Sequence, residues 1–68
     1  MEPSRSPYAG MTVNERLFTA GLLAAFDAAA RGRDRGGLVA LLERVDLYPD
    51  EAAETADAIL REPRRHGY

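Results

Sequence analysis

Apolar residues recur with the period of an α-helix in three stretches of this chain, and a helix-start signal precedes each one. Thr12 and Glu15 have the spacing of a capping box, in which each side chain accepts a hydrogen bond from the other residue's backbone amide. Asp34 is placed as an N-cap, and Pro49 suits the first position of a helix. The predicted helices cover residues 13–31, 35–46 and 49–62.

The helix ends are predicted from glycine, arginine and proline. Gly32 suits a C-cap after the first helix, and Pro63 ends the third. The last residues then form a short tail that is either loose or folded back through Tyr68. The expected core is the set of bulky residues on the three apolar faces: Phe18, Leu22, Phe26, Leu38, Leu41, Leu42, Val45, Ile59 and Leu60. No segment has the alternation of a strand, so the predicted fold is an all-α, three-helix domain.

The first ten residues contain two prolines, two serines and a glycine without periodicity. We expect residues 1–10 to be a disordered, dispensable lead-in, with the domain at residues 11–68 and Met11 as its natural start.

A chain of 68 residues supports one small core of marginal stability, and without cysteine it cannot be stabilised by disulfides. Self-association would add buried surface to such a domain, so the sequence is consistent with a homo-oligomer. Leu23 projects among polar residues in the predicted first helix, and the third helix has small residues at Ala52, Ala53 and Ala56. Together these residues form the predicted apolar contact surface.

The charge of the chain is unevenly distributed. Ten acids and six arginines between residues 12 and 62 give that stretch a net charge of −4. Four of the acids lie close together on the third predicted helix: Asp50, Glu51, Glu54 and Asp57. They form either a solvated helix face or, with Leu23, a docking surface for a protein partner with a basic surface.

Arginines offer a second possible surface, for nucleic acid. Arg31, Arg33 and Arg35 lie in a glycine-containing turn, and Arg64 and Arg65 lie in the tail. Nucleic-acid binding is nevertheless the less favoured interpretation, because phosphate neutralisation requires positive charge and the domain is acidic.

The sequence provides no constellation for catalysis, metal binding or cofactor binding. His66 is the single histidine and lies in the tail, away from other candidate ligands. No apolar run is long enough to span a bilayer, and the first residues lack the apolar core of a secretory signal. We therefore expect a cytoplasmic protein that is not an enzyme and has no membrane contact.

Several short segments resemble a family of short, uncharacterised helical proteins from bacteria, mostly proteobacteria. They are Thr12-Val13-Asn14-Glu15-Arg16-Leu17, Ala20-Gly21-Leu22, Phe26-Asp27-Ala28, and Ile59-Leu60 with the ending through Pro63 to Gly67-Tyr68. The resemblance covers residues 11–68, implies a bacterial origin and brings no catalytic residue with it.

The predicted function is that of a noncatalytic acidic protein-interaction module or small regulatory subunit. One alternative is an immunity or antitoxin protein that neutralises a basic partner. The other is a nucleic-acid-binding protein that uses the arginine turn between Arg31 and Arg35 and the C-terminal arginine pair.

Overall fold

The computed structural model describes residues 6–68, so half of the predicted lead-in (residues 1–5) lies outside the described residues. Within the described part the chain is all-α, as predicted, and contains no strand. The elements are α1 (Val13–Ala20), α2 (Leu23–Arg31), α3 (Arg35–Arg44), α4 (Pro49–Arg61) and a short 3-10 helix (Pro63–His66). None of these helices is long and apolar enough to cross a membrane.

The prediction of one continuous helix over residues 13–31 is wrong, because the chain breaks at Gly21. Gly21 adopts a left-handed backbone conformation with φ of 74°. Its amide donates to the Phe18 carbonyl at 3.0 Å, and the Leu22 amide donates to the Leu17 carbonyl at 2.8 Å. This pair of bonds is the Schellman motif, which satisfies the last carbonyls of a helix and stops it. Residues 6–68 therefore form four α-helices instead of the predicted three.

The same motif ends α2, but there the left-handed residue is not glycine. Gly32 is the C-cap, as predicted, with φ of −81°, and the left-handed position falls on Arg33, with φ of 56°. The amides of Arg33 and Asp34 donate to the carbonyls of Ala30 and Ala29 at 3.1 and 2.8 Å. The turn that joins α2 to α3 is therefore closed by backbone hydrogen bonds.

The predicted helix starts are confirmed. The Thr12 amide donates to Glu15 Oε1 at 2.8 Å, and the Glu15 amide donates to the Thr12 hydroxyl at 3.2 Å. Asp34 accepts a hydrogen bond from the Gly37 amide at 2.9 Å. Pro49 opens α4, and Glu51 reaches back to accept from the Tyr48 amide at 3.2 Å.

The core lies around α3, which packs against both α2 and α4. It consists of nine buried apolar side chains: Leu17, Phe26, Ala30, Leu38, Leu42, Val45, Ala52, Ala56 and Ile59. Ala52 and Ala56 are fully buried, so the small-residue face of α4 is part of the core. Most of the alanine surface predicted for self-association is therefore not available to a partner.

Phe18 is the main error in the predicted core, because 74% of it is exposed. Leu22, Leu41 and Leu60 are half-buried and pack on the edge of the core. Since α1 ends at Gly21, its short apolar face is centred on Leu17, which is fully buried. Successive residues of a helix are rotated by about 100°, so Phe18 points away from the face that carries Leu17.

The chain on the N-terminal side of α1 contacts the helical domain. Residues 6–10 form a turn in which the Ala9 amide donates to the Ser6 carbonyl at 3.1 Å. The Ser6 hydroxyl donates to Asp46 Oδ2 at 2.6 Å, and Tyr8 packs against the core. This half of the lead-in thus covers part of the domain near the end of α3.

Candidate functional site

The three arginines at the turn from α2 to α3 all have partners within the fold. Arg33 donates from Nη2 to the Leu60 carbonyl near the end of α4 at 2.9 Å. Arg35 binds the two carboxylate oxygens of Asp57 at 2.7 and 3.3 Å. The guanidinium of Arg31 lies 5.9 Å from the centre of the Tyr68 ring. These arginines tie the α2–α3 turn to α4 and to the tail.

The four acidic residues of α4 are all exposed, as predicted, but their surroundings differ. The hydrogen bond from Arg35 holds the pKa of Asp57 below its usual value. Glu51 is engaged at the start of α4 through the Tyr48 amide. Within residues 6–68, the side chains of Asp50 and Glu54 form no hydrogen bond or ion pair. The cluster therefore divides into two carboxylates that serve the fold and two that face solvent.

Leu23 does not project freely from a polar face. It is the first residue of α2, is half-buried, and packs against the core from one side. Its other side lines a groove of about 420 Å³ beside α1, here called the Phe18 groove. The lining residues are Met11, Asn14, Glu15, Phe18, Thr19 and Leu23.

The Phe18 groove follows one face of α1. Asn14 and Phe18 are spaced by four residues on α1, as are Glu15 and Thr19, so these side chains lie on one face of the helix, which Met11 precedes. Met11 lies close to Thr19, whose hydroxyl is 3.9 Å from the methionine sulfur. This face carries the exposed Phe18 ring and the exposed Glu15 carboxylate.

A second groove, of about 510 Å³, lies between the start of α1, the middle of α4 and the tail. Phe26 and Ile59, both buried, contribute its apolar wall, and Arg65 and His66 contribute its basic edge. Asn14 lines this groove and the Phe18 groove as well. The two grooves are therefore neighbours on one side of the molecule. The remaining lining residues are Thr12, Val13, Thr55 and Tyr68.

The tail folds back onto α2 through Tyr68, which is one of the two courses predicted for it. The Tyr68 hydroxyl donates to Asp27 Oδ1 at 2.6 Å. Burial, with a further contribution from this hydrogen bond, raises the pKa of Tyr68 to about 12. The tail residue His66 is exposed at the edge of the second groove.

Arg16 has a structural role that the sequence pattern did not reveal. Its Nε donates to the Met11 carbonyl at 3.2 Å, and its Nη1 donates to the Val45 carbonyl at 3.0 Å. One side chain therefore joins the segment before α1 to the end of α3. This contact helps to fix α1, and with it the Phe18 groove, on the rest of the domain.

Phe18 is the surface residue that sequence reasoning missed, although a local signal for it exists. Leu17 and Leu22 flank Gly21 at the positions whose apolar contact commonly accompanies a Schellman motif. That signature indicates a helix end at residue 20 and removes the reason to place Phe18 in the core.

Among residues 6–68, no group of three or more histidine, aspartate or glutamate side chains is arranged to hold a metal ion. No family model, curated protein or solved structure matches the chain. The resemblance to short bacterial helical proteins therefore stays a prediction, and the function has to be argued from the surface of the domain.

Proposed function

We propose that this protein is a noncatalytic interaction module that binds a protein partner with a basic surface. The observation that carries the proposal is the way the charged side chains are divided between the fold and the surface. Arg16, Arg33 and Arg35 contact other parts of the fold, whereas the exposed carboxylates of Glu43, Asp50 and Glu54 have no hydrogen-bond or ion-pair partner among residues 6–68.

The division can be followed residue by residue. Of the six arginines between residues 12 and 62, Arg16 and Arg33 donate to backbone carbonyls, and Arg35 is paired with Asp57. The same stretch has a net charge of −4. Asp50 and Glu54 add exposed negative charge on α4. A surface of one sign attracts a partner of the opposite sign and steers its approach.

The same contacts weigh against nucleic acid as the ligand. Arg33 and Arg35 are held against α4, and Arg31 lies over the Tyr68 ring. A phosphate backbone would have to replace these internal contacts and would also approach an acidic domain. The arginine turn is better explained as a structural link between helices.

The experiment uses the full chain as bait in its native cell, followed by binding kinetics with each purified partner at several salt concentrations. We expect the partner surface to be basic and the association rate to fall as salt rises, because exposed charges are screened beyond about 10 Å at 0.1 M ionic strength. The double substitution Asp50→Asn and Glu54→Gln should slow association more than it speeds dissociation.

Glu43→Gln is the matched control, since Glu43 is an exposed acid on α3, outside the acidic cluster. It should slow association less than the double substitution. A partner with an acidic surface, an association rate that does not depend on salt, or tight binding to plain DNA or RNA would contradict the proposal.

A further inference from the structure

We propose that the Phe18 groove is the docking site for an amphipathic helix of the partner, with an apolar stripe against Phe18 and basic residues beside it. This inference rests on the proposed function and adds to it the place of binding and the kind of element that binds.

The apolar part of the inference comes from Phe18. Its ring is 74% exposed on α1 and stands beside Met11 and Leu23 on the wall of the groove. Large exposed aromatic rings are unusual on a domain that must bury apolar surface to fold. Aromatic and methionine side chains are enriched where proteins bind one another. A partner that covers Phe18 removes apolar surface from water without any change in the fold.

The shape of the groove favours a helix as the occupant. Its lining residues on α1 lie on one face of that helix: Asn14, Glu15, Phe18 and Thr19. A second helix can lie along such a face and insert its own side chains between the rows. The eight residues of α1 are about 12 Å long, which corresponds to two turns of a partner helix.

The charge around the groove indicates which helix fits. Among residues 6–68, the only ionisable residue that lines it is the acidic Glu15. The Glu15 carboxylate is exposed, and one of its oxygens accepts the hydrogen bond from the Thr12 amide. A helix in the groove would therefore meet the Glu15 carboxylate, and arginine or lysine beside its apolar stripe complements that charge.

The test measures binding of synthetic helical peptides to the full chain by fluorescence anisotropy and by NMR chemical-shift mapping. The first peptide has leucines on one helical face and arginines on the others. The second replaces every arginine by glutamate, and the third has the composition of the first with the leucine stripe scrambled. We expect only the first to bind, with shifts at Glu15, Thr19 and Leu23.

Phe18→Ala should weaken binding of the first peptide by about 30-fold, as truncation of a central interface residue does. Tyr48→Ala is the matched control, because Tyr48 is 76% exposed but does not line the groove. It should change the affinity by less than about twofold, within the range of contacts that contribute little to an interface. Both substitutions replace exposed rings, so the thermal melt of each variant should resemble that of the wild type.

Glu15→Gln tests the charge at the groove without removing the capping box, which accepts glutamine at the same position. It should weaken binding at low salt and have little effect at high salt, where exposed charges are screened. Equal binding of the arginine and glutamate peptides, or shifts that map elsewhere, would overturn the inference.

The outcomes separate this inference from the proposed function. A basic partner whose affinity is unchanged by Phe18→Ala would leave the proposed function standing and overturn the helix in the groove. Binding of the first peptide at Phe18, with no basic partner in the cell, would overturn the proposed function alone. A dimer in sedimentation velocity that Phe18→Ala dissociates would show a second copy in the groove and overturn the partner helix.

Discussion

The hydroxyl of Tyr68 lies 2.6 Å from Oδ1 of Asp27, across 41 positions of the sequence. This hydrogen bond holds the tail against α2, and the ring of Tyr68 packs on the edge of the core. The 3-10 helix between α4 and Tyr68 thereby becomes part of the wall of the second groove.

The burial of Tyr68, together with its hydrogen bond to Asp27, predicts a loss of stability at alkaline pH. The pKa of Tyr68 is about 12 in the folded protein, against an ordinary value of 10.0. The folded state therefore retains this proton more strongly than the unfolded state, and the stabilisation is fully present below pH 10. It is lost as the pH rises from 10 to 12.

Urea denaturation of the wild type and of Tyr68→Phe checks this prediction. The variant should be less stable by about 1 kcal/mol at pH 8, and this difference should shrink between pH 10 and 12. Tyr48→Phe serves as the control for an exposed tyrosine, and it should be as stable as the wild type at both ends of the range. A difference between wild type and Tyr68→Phe that stays constant up to pH 12 would contradict the assignment.

Leu42 is fully buried at the centre of the core, so Leu42→Ala should destabilise the protein strongly. The expected cost is about 2–5 kcal/mol, which approaches the whole stability of a domain of this size. Circular dichroism during thermal unfolding should show a greatly lowered melting temperature or no folded baseline. Leu41→Ala, at a half-buried neighbour, should cost clearly less. Similar losses for both variants would mean that Leu42 is not the central residue.

Gly36 and Gly37 lie next to each other in the first turn of α3 and should respond differently to alanine. Apart from the chain neighbours and the backbone of α3, the atom nearest to a Cβ at residue 36 would be Asp34 Oδ1 at 3.8 Å, so Gly36→Ala should raise stability by about 0.5–1 kcal/mol through helix propensity. A Cβ at residue 37 would lie 2.5 Å from Oδ2 of the capping residue Asp34. Gly37→Ala should therefore give no gain. Thermal melts of the two variants measure the change in stability, and an equal rise in melting temperature for both would contradict the position of the Asp34 carboxylate.

Gly21→Ala should destabilise the protein although the site has room for a methyl group. No atom outside residues 20–22 lies within 4 Å of a Cβ placed there, so the expected cost of about 1 kcal/mol comes from the left-handed backbone alone. D-alanine, introduced by chemical synthesis, is the control because its favoured φ is positive. It should match or exceed the wild type in stability. An L-alanine variant as stable as the wild type would argue for a continuous helix through residue 21.

Tyr8→Ala tests whether the segment before α1 contributes to stability. Tyr8 is half-buried and packs against the core, so its truncation should cost about 1–2 kcal/mol. Pro7→Ala is the control, because Pro7 is exposed. Equal urea midpoints for wild type and Tyr8→Ala would support the sequence-based expectation that the lead-in is dispensable.

The sequence by itself determined the all-α class and the places where the helices begin. Thr12 with Glu15, Asp34, and Pro49 with Glu51 act on backbone groups within four residues of themselves. Interactions of that range are encoded locally, so the residues that form them can be recognised without the tertiary structure. The helix end at Gly21 is encoded in the same way, but the apolar periodicity that continues past it favoured one long helix.

The tertiary structure decided which of the predicted surface residues remain available to a partner. The arginines of the α2–α3 turn contact residues more than twenty positions away, and Asp57 is one of these partners. Phe18 is exposed and does not belong to the core. Helical periodicity assigns residues to faces of one helix, but it does not say which helix will cover each face. Which helix covers a given face depends on where the chain turns between helices. The left-handed residue Gly21 ends α1 and turns the chain, and Phe18 is left exposed.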